Sequence, residues 1–121
     1  IAHGVSAIRD DDLVARLARD GVPLDQCLSS NVATGAVESL EAHPFPRLRA
    51  AGVNVTIGSD DPPFFGRTVG DELRIAGALA SLSRAGLADL QRRAARAAFL
   101  PRPEADRIVE AVDAWEGRPD D

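Results

Sequence analysis

Two adjacent carboxylates stand shortly after the most strand-like segment of the chain. In residues 53–57 apolar valine and isoleucine alternate with polar residues, and Asp60 and Asp61 follow. Parallel α/β folds place their active sites where strands end, and a carboxylate there can bind a cation while its neighbour accepts a substrate hydrogen bond. The sequence Asp60-Asp61-Pro62 is equally good turn chemistry, because aspartate bonds to its own backbone and proline fixes φ. By itself the motif leaves both interpretations open.

Two histidines are the other candidates for proton transfer, since imidazole titrates near neutral pH. His3 ends a short apolar segment, and Gly4 after it allows a close backbone approach or an unusual dihedral angle. A single histidine of this kind is more often a hydrogen-bonded structural residue than a catalytic one. His43 precedes Pro44 in a polar connection, and we assign it to a structural turn.

The segment after the second candidate strand carries a thiol, two hydroxyls and an amide. No candidate general base lies at a characteristic spacing from Cys27, and the residues around it match no nucleophile motif. We therefore predict that Cys27 packs in a buried strand. Ser29, Ser30 and Asn31 are predicted to form a turn that holds the next loop through side-chain to backbone bonds. A single cysteine cannot form an internal disulfide and fits a reducing compartment, which predicts a cytoplasmic protein.

Short apolar segments and helical patterns alternate along the chain, as in successive strand–helix units. The segments are residues 1–3, 22–27 and 53–57. Their spacing leaves no room for hairpins, so the sheet is predicted to be parallel, and such sheets are covered on both faces. After the third segment the chain is predicted to be wholly helical.

Caps and apolar spacing predict the helices. The first begins at residues 10–12 and ends at Gly21, and two more span about 45–51 and about 68–79. A fourth is capped by Ser83, and the last follows Pro103. The residues predicted to face inward are Leu13, Val14 and Leu17 in the first helix, Leu87, Leu90, Ala94 and Ala97 in the fourth, and Ile108, Val109, Val112 and Trp115 in the last.

Composition argues against several classes of function. The net charge is −5 and all 14 basic residues are arginines, dispersed among acids rather than clustered as nucleic-acid binding requires. No apolar run approaches the roughly 18–20 residues that cross a bilayer, and the start of the chain has no secretory signal pattern. We therefore expect binding to neither nucleic acids nor membranes.

The 121 residues match one small domain by length, but the predicted sheet is too small for a core. Two strands and the tail of a third leave rows of backbone donors and acceptors unpaired at the sheet edges. The chain opens on apolar Ile1 and contains no methionine. We therefore predict that residues 1–121 form a single partial domain, completed by upstream residues or by a partner chain.

The three strand-end motifs together resemble the C-terminal third of adenosine deaminases, including the related aminodeoxyfutalosine deaminases. The resemblance extends from Ile1 to about Phe99 and implies an α/β fold, the C-terminal part of a (β/α)₈ TIM barrel. His3 would end the sixth strand, residues 29–31 would follow the seventh and Asp60 would end the eighth, before the C-terminal helices. The motifs are His3-Gly4, Cys27-x-x-Ser30-Asn31 and Ser59-Asp60-Asp61-Pro62.

In this family a zinc ion activates the water that attacks the amine-bearing carbon of a purine, with loss of ammonia. The resemblance implies that Asp60 is a zinc ligand, that His3 orients and helps deprotonate the water, and that Asp61 holds a purine ring nitrogen. Gly4 would keep the turn beside the substrate tight. The implied activity is deamination of adenosine to inosine, and the same residues would serve aminodeoxyfutalosine in menaquinone synthesis.

The chain matches only part of that family's site. The His-x-His pair, the third histidine ligand and the catalytic glutamate of the family have no counterpart in residues 1–121, and zinc sites use about four ligands. We therefore predict that the isolated chain neither binds zinc tightly nor deaminates, and that it needs the N-terminal part of the barrel. The alternative is a non-catalytic assembly module or an inactive remnant, with which the departures from the family pattern at Gly58 and Leu73 are compatible.

Overall fold

A small parallel sheet organises the fold. The structure, a computed structural model, describes residues 1–119. Strand β1 (Leu24–Gln26) pairs in parallel with β2 (Val55–Ile57), as the alternation of strands and helices predicts. The backbone of Asp25 exchanges hydrogen bonds with Ile1 and His3, at 2.9 and 2.7 Å. The start of the chain therefore extends the sheet at the other edge of β1.

The two faces of the sheet are buried to different degrees. Leu24 lies opposite Val55 and Gln26 lies opposite Ile57, and all four side chains are buried. On the other face Asp25 is exposed, while its partner Thr56 is buried and donates a hydrogen bond to the Asp25 carboxylate at 2.9 Å. One face of the sheet is therefore fully covered, and the other is covered in part.

Both strands are shorter than their sequence patterns predict, because the first residue of each pattern closes the preceding helix. The Val22 N–H donates to the Leu17 carbonyl at 3.2 Å, and the Val53 N–H donates to the Leu48 carbonyl at 3.1 Å. Such bonds satisfy the last carbonyls of a helix that ends at a glycine. The residues that begin the apolar segments thus serve as helix caps before the sheet begins.

The core lies between the covered face of the sheet and the helices. Its largest fully buried apolar side chains come from five elements and from one residue that joins two of them. Burying a leucine or phenylalanine side chain contributes roughly 1.5–3 kcal/mol, so these contacts dominate the packing that fixes the strand ends. The core side chains that are at most 1% exposed include Leu24, Leu28, Phe45, Leu48, Val53, Val55 and Leu90.

Two predictions in the first half of the chain are wrong. Residues 29–31, predicted as a turn, lie in helix α2 (Leu28–Ala33). Leu13, predicted to face inward, is 40% exposed, while Val14 and Leu17 are buried. The side of the helix that packs against the core carries Val14, Leu17 and Ala18, and Leu13 lies at the edge of this stripe, roughly 100° from Val14.

The C-terminal helices pack less tightly than predicted. Leu90 is buried, but Ile108 and Trp115, predicted to face inward, are 42% and 39% exposed. Together with Leu73 and Leu87 they line an apolar cleft of about 440 Å³. The last helix also begins before Pro103, at Arg102. Ion pairs from Arg92 to Asp113 and Glu116 join the last helix to the helix before it.

Within residues 1–119, no helix is both long enough and apolar enough to cross a bilayer. The helices are a 3₁₀ helix Val5–Arg9, α1 Asp11–Asp20, α2 Leu28–Ala33, α3 Phe45–Ala50, α4 Pro62–Phe65, α5 Val69–Leu79, α6 Arg84–Ala97 and α7 Arg102–Glu116.

Candidate functional site

Three candidate residues meet at the edge of the sheet where the parallel strands end. His3 ends the first segment, Cys27 directly follows β1, and Asp60 follows β2 after two residues. One ligand atom of each side chain lies within 4.8 Å of those of the other two. Imidazole nitrogen, thiol sulfur and carboxylate oxygen are the donor types that zinc accepts in proteins. The chemistry of this donor set is therefore compatible with a zinc site.

His3 and Asp60 face each other in strained backbone conformations. His3 Nε2 lies 3.9 Å from Asp60 Oδ2, and both side chains are about one-third exposed, at 38% and 36%. Their φ angles are 60° and 56°. Residues other than glycine rarely occupy this left-handed region, and those that do are concentrated at functional sites. The strain turns both side chains towards the same space.

A hydroxyl fixes the orientation of the Asp60 carboxylate. Ser30 Oγ donates a hydrogen bond to Asp60 Oδ2 at 2.5 Å. This bond joins residues that follow two different strands, because Ser30 lies in α2, directly after β1, and Asp60 follows β2. The predicted side-chain to backbone role of Ser30 is therefore wrong: its hydroxyl bonds to the carboxylate of the site.

Asn31 and His43 form a buried chain of hydrogen bonds behind His3. The Asn31 amide nitrogen lies 3.1 Å from His3 Nδ1, and the Asn31 amide oxygen lies 3.1 Å from His43 Nε2. The Phe45 backbone N–H donates to His43 Nδ1, also at 3.1 Å. His43 is 3% exposed, and burial lowers its pKa from 6.5 to about 4, which keeps it neutral near pH 7.

The sequence predictions for Asn31 and His43 are only partly confirmed. Asn31 was predicted to bond to the backbone of a loop, whereas its side chain joins two imidazoles. His43 is structural, as predicted, but its turn brings the His43 ring into hydrogen-bonding contact with Asn31, which also bonds to His3. The sequence signal for a role in the site is a polar residue directly after a strand end. The neighbouring residues do not show to which distant side chain that residue bonds.

Cys27 is inert at neutral pH. The thiol is buried, and burial, with smaller contributions from the carboxylates of Asp25 and Asp60, raises its pKa from 9.0 to about 12. A protonated thiol is a poor nucleophile. This agrees with the prediction that Cys27 packs in the interior, although it does so just after β1 rather than within the strand.

Asp61 and Glu72 support the loops around the site. Asp61 is exposed, and its Oδ1 accepts a hydrogen bond from the Phe64 N–H at 3.3 Å, which caps α4. Glu72 is buried, and its Oε2 accepts from the Ser29 N–H at 3.1 Å. The turn interpretation of the Asp-Asp-Pro sequence therefore holds for Asp61, while a role in binding substrate stays a prediction.

Gly4 allows the chain to turn closely past β1 after His3. Its φ is 70°, and a Cβ at this position would lie 3.0 Å from Leu24 Cδ2, in a side chain that is 1% exposed. We expect Gly4→Ala to lower the free energy of unfolding by about 1–3 kcal/mol, measured by urea denaturation. Gly21→Ala is the matched control, because Gly21 has φ 65° with nothing within 4 Å of the added Cβ.

The control separates dihedral strain from the close contact. Gly21→Ala carries only the dihedral contribution, so Gly4→Ala should be the more destabilising of the two. Equal losses in the two variants would show that the approach of Gly4 to Leu24 contributes nothing.

The arrangement agrees with a family match over nearly the whole chain. The sequence model described as adenosine deaminase matches residues 1–115. The chain belongs to the adenosine deaminase family. Its relatives include the aminodeoxyfutalosine deaminase of Streptomyces coelicolor, 44% identical over 95% of this chain and 30% of that protein. The adenine deaminase of Sinorhizobium medicae is 43% identical over 93% of this chain and 35% of that protein.

A solved structure confirms the fold that the sequence resemblance implies. The crystal structure of adenine deaminase from Arthrobacter aurescens superposes with a TM-score of 0.89 and 35% identity, over 95% of this chain and 35% of that one. The chain thus spans about a third of the length of each of these three proteins. It has the fold of the C-terminal part of their (β/α)₈ barrel, the last strands followed by the C-terminal helices.

Proposed function

We propose that this chain supplies the C-terminal third of a zinc-dependent barrel that hydrolytically deaminates a 6-aminopurine. The observation that carries the proposal is the pairing of His3 and Asp60 at the carboxyl ends of parallel strands, with both residues at positive φ. Strain of this kind is retained where the surrounding structure imposes it for function. The family match over residues 1–115 supports the reaction class.

Asp60 is the residue of this chain proposed to bind zinc. Its carboxylate is oriented by Ser30, and its oxygen lies within 4.8 Å of ligand atoms of His3 and Cys27. Because zinc sites use about four ligands, we expect the remaining ligands to come from the N-terminal part of the barrel. When bound, zinc acts as a Lewis acid and lowers the pKa of a water molecule.

The other site residues are proposed to act on water and substrate. His3, 3.9 Å from Asp60, orients the attacking water, and Asp61 holds a purine ring nitrogen. Gly4 keeps the turn after His3 close to β1, which leaves space beside the ring. These assignments are those that the family resemblance implies, and the positions of the residues at the strand ends support them.

The substrate is proposed to carry an amino group on a purine ring. Adenosine is the substrate implied by the sequence resemblance, and the named relatives add adenine and aminodeoxyfutalosine. These molecules share the reacting carbon and differ in the substituent of the ring. The proposed reaction is therefore common to all three, and an assay must include each of them.

A chimera tests the proposed function. The chain replaces the matching third of the Streptomyces coelicolor aminodeoxyfutalosine deaminase, to which it is 44% identical, and ultraviolet assays follow adenine, adenosine and aminodeoxyfutalosine. We expect turnover of at least one substrate, with stoichiometric zinc. A folded chimera that turns over none of them, beside an active parent enzyme, would contradict the proposal and favour the non-catalytic module.

The isolated chain provides the complementary prediction. One carboxylate beside an imidazole and a protonated thiol is an incomplete zinc site, since such sites use about four ligands. Isothermal titration with zinc should therefore show weak binding, and the ultraviolet assays should show no turnover. Nanomolar zinc affinity or measurable deamination by the chain alone would overturn this prediction.

A further inference from the structure

We infer that His43 and Asn31 are positioning residues that hold the neutral His3 ring in the tautomer with its proton on Nε2. The inference rests on three consecutive hydrogen bonds that lead from the backbone of α3 to His3. The first bond has a donor that is fixed by its chemistry, the Phe45 N–H, and its direction determines the direction of each bond that follows.

The first bond determines the tautomer of His43. The backbone N–H of Phe45 is always a donor, and it points at His43 Nδ1 at 3.1 Å. His43 Nδ1 must therefore accept, which places the single proton of the neutral ring on Nε2. Since His43 is 3% exposed, water does not offer Nδ1 an alternative partner.

The second bond determines the orientation of the Asn31 amide. The protonated His43 Nε2 lies 3.1 Å from Asn31 Oδ1 and donates to it. Rotating the amide by 180° would set the Asn31 NH₂ group against this N–H, two donors face to face. Asn31 is 3% exposed, and a buried donor without an acceptor costs about 1–3 kcal/mol. The amide therefore keeps its nitrogen towards His3.

The third bond determines the tautomer of His3. The Asn31 amide nitrogen donates to His3 Nδ1 at 3.1 Å, so the proton of the neutral ring lies on Nε2, the atom 3.9 Å from Asp60 Oδ2. The backbone that carries this ring is fixed on both sides, because the His3 N–H donates to the Asp25 carbonyl and the His3 carbonyl accepts from the Gln26 side-chain amide.

The tautomer specifies how His3 enters the reaction, a consequence that rests on the proposed function. With its proton on Nε2, the neutral ring presents a hydrogen-bond donor to the space beside Asp60. His3 therefore orients the attacking water by donating to it, and its Nε2, which already carries a proton, cannot accept one from that water. This refines the sequence-based prediction, in which His3 also helps to deprotonate the water.

Nitrogen-15 spectra of the ring test the inference without any catalytic assay. The chain contains two histidines, so long-range ¹H–¹⁵N correlations of histidine-labelled protein at mildly alkaline pH resolve both neutral rings. We expect pyrrole-like Nε2 and pyridine-like Nδ1 resonances for His3 and for His43. A His3 ring protonated on Nδ1 in the unaltered chain would overturn the inference.

Two substitutions of His43 separate positioning from packing. His43→Asn keeps an acceptor near the Phe45 N–H but cannot reach Asn31, so His3 should become a mixture of tautomers. His43→Gln keeps an N–H at the Nε2 position, so His3 should retain a single tautomer. If both variants fold and their His3 spectra are the same, the ring of His43 does not control His3.

An acidic side chain at position 31 should reverse the tautomer. Asn31→Asp offers one carboxylate oxygen to His43 and the other to His3, which can then keep a proton only on Nδ1. Asn54→Asp is the matched control, because Asn54 bonds to the Gly21 carbonyl and contacts neither histidine. An unchanged His3 spectrum in a folded Asn31→Asp protein contradicts the inference.

We call the hydrogen-bond chain from Phe45 through His43 and Asn31 to His3 the relay. The tests of the relay and of the proposed function have independent outcomes. An inactive chimera with the expected ring spectra would refute the proposed function and leave the relay standing. Variants that unfold the isolated chain are measured in the chimera, where His3→Asn identifies the His3 resonances by their loss. An active chimera whose His3 is protonated on Nδ1 would refute the relay alone.

Discussion

Replacing Asp60 by asparagine in the chimera is expected to lower kcat/KM by about 10³-fold or more. A metal ion contributes several kcal/mol of transition-state stabilisation, and about 1.4 kcal/mol corresponds to a tenfold change in rate. Asparagine lacks the negative charge that binds the ion, so the zinc content of the protein should fall with the rate. Atomic absorption on the purified protein measures that loss.

The substitution is designed to leave the fold intact. Asparagine has nearly the shape of aspartate, tolerates the φ of 56° found at Asp60, and can still accept the hydrogen bond from Ser30. Circular dichroism and urea denaturation should therefore match the parent chimera.

Asp106→Asn, on the exposed surface of α7, provides the control for the loss of one carboxylate and should change neither zinc content nor rate. Full zinc occupancy and normal turnover in Asp60→Asn would remove Asp60 from the metal site and leave Asp61 as the carboxylate to test.

The parts of the fold that the sequence predicts are those set by local chemistry. The parallel pairing follows from the alternation of strand and helix patterns, and the helix starts follow from caps such as Asp10 and Ser83, whose side chains accept from the N–H groups of Leu13 and Gly86. His3 is placed correctly at a strand end for the same reason. Each of these predictions depends on residues close together in the chain.

The interior of the site could not be predicted, because it depends on contacts between distant segments. Ser30 meets Asp60, and Asn31 meets both His3 and His43, only after the helices have packed on the sheet. Polar residues after an apolar segment are typical of turns, so the pattern predicted one where the chain forms α2. Hydrogen bonds between distant residues determine which side chain faces the site. Such bonds produce no periodic pattern in the sequence.

The Asp-Asp-Pro sequence shows how one motif can satisfy two interpretations. Asp61 caps α4 through the Phe64 N–H, as turn chemistry predicts, while Asp60 adopts the positive φ that aims its carboxylate at His3. The cap holds the backbone on one side of Asp60, and Ser30 holds the carboxylate on the other. The turn thus contributes to positioning the candidate metal ligand.

Acidification from pH 6.5 to pH 4 is expected to destabilise the isolated chain by up to about 3 kcal/mol through His43 alone. Burial lowers the pKa of His43 from 6.5 to about 4 in the folded state, so between these values the unfolded chain binds a proton that the folded chain does not. The free energy of unfolding therefore rises with pH across this window. The stability is complete above pH 6.5 and is lost as the pH falls towards 4.

Urea denaturation as a function of pH measures this loss, and His43→Gln isolates its source. Glutamine retains the donor to Asn31 and cannot titrate, so the free energy of unfolding of the unaltered chain should fall relative to that of the variant as the pH falls through the window. Asp71, whose pKa is lowered to about 2 by its bonds to Thr68, loses its contribution only below its ordinary value of 3.8.

Parallel pH profiles for the two proteins would mean that His43 is protonated in the folded chain as readily as in the unfolded one. A charged His43 needs a second acceptor, yet its Nδ1 faces the Phe45 N–H. That result would therefore require the hydrogen bond from Phe45 to break, and the relay to His3 would lose its first hydrogen bond.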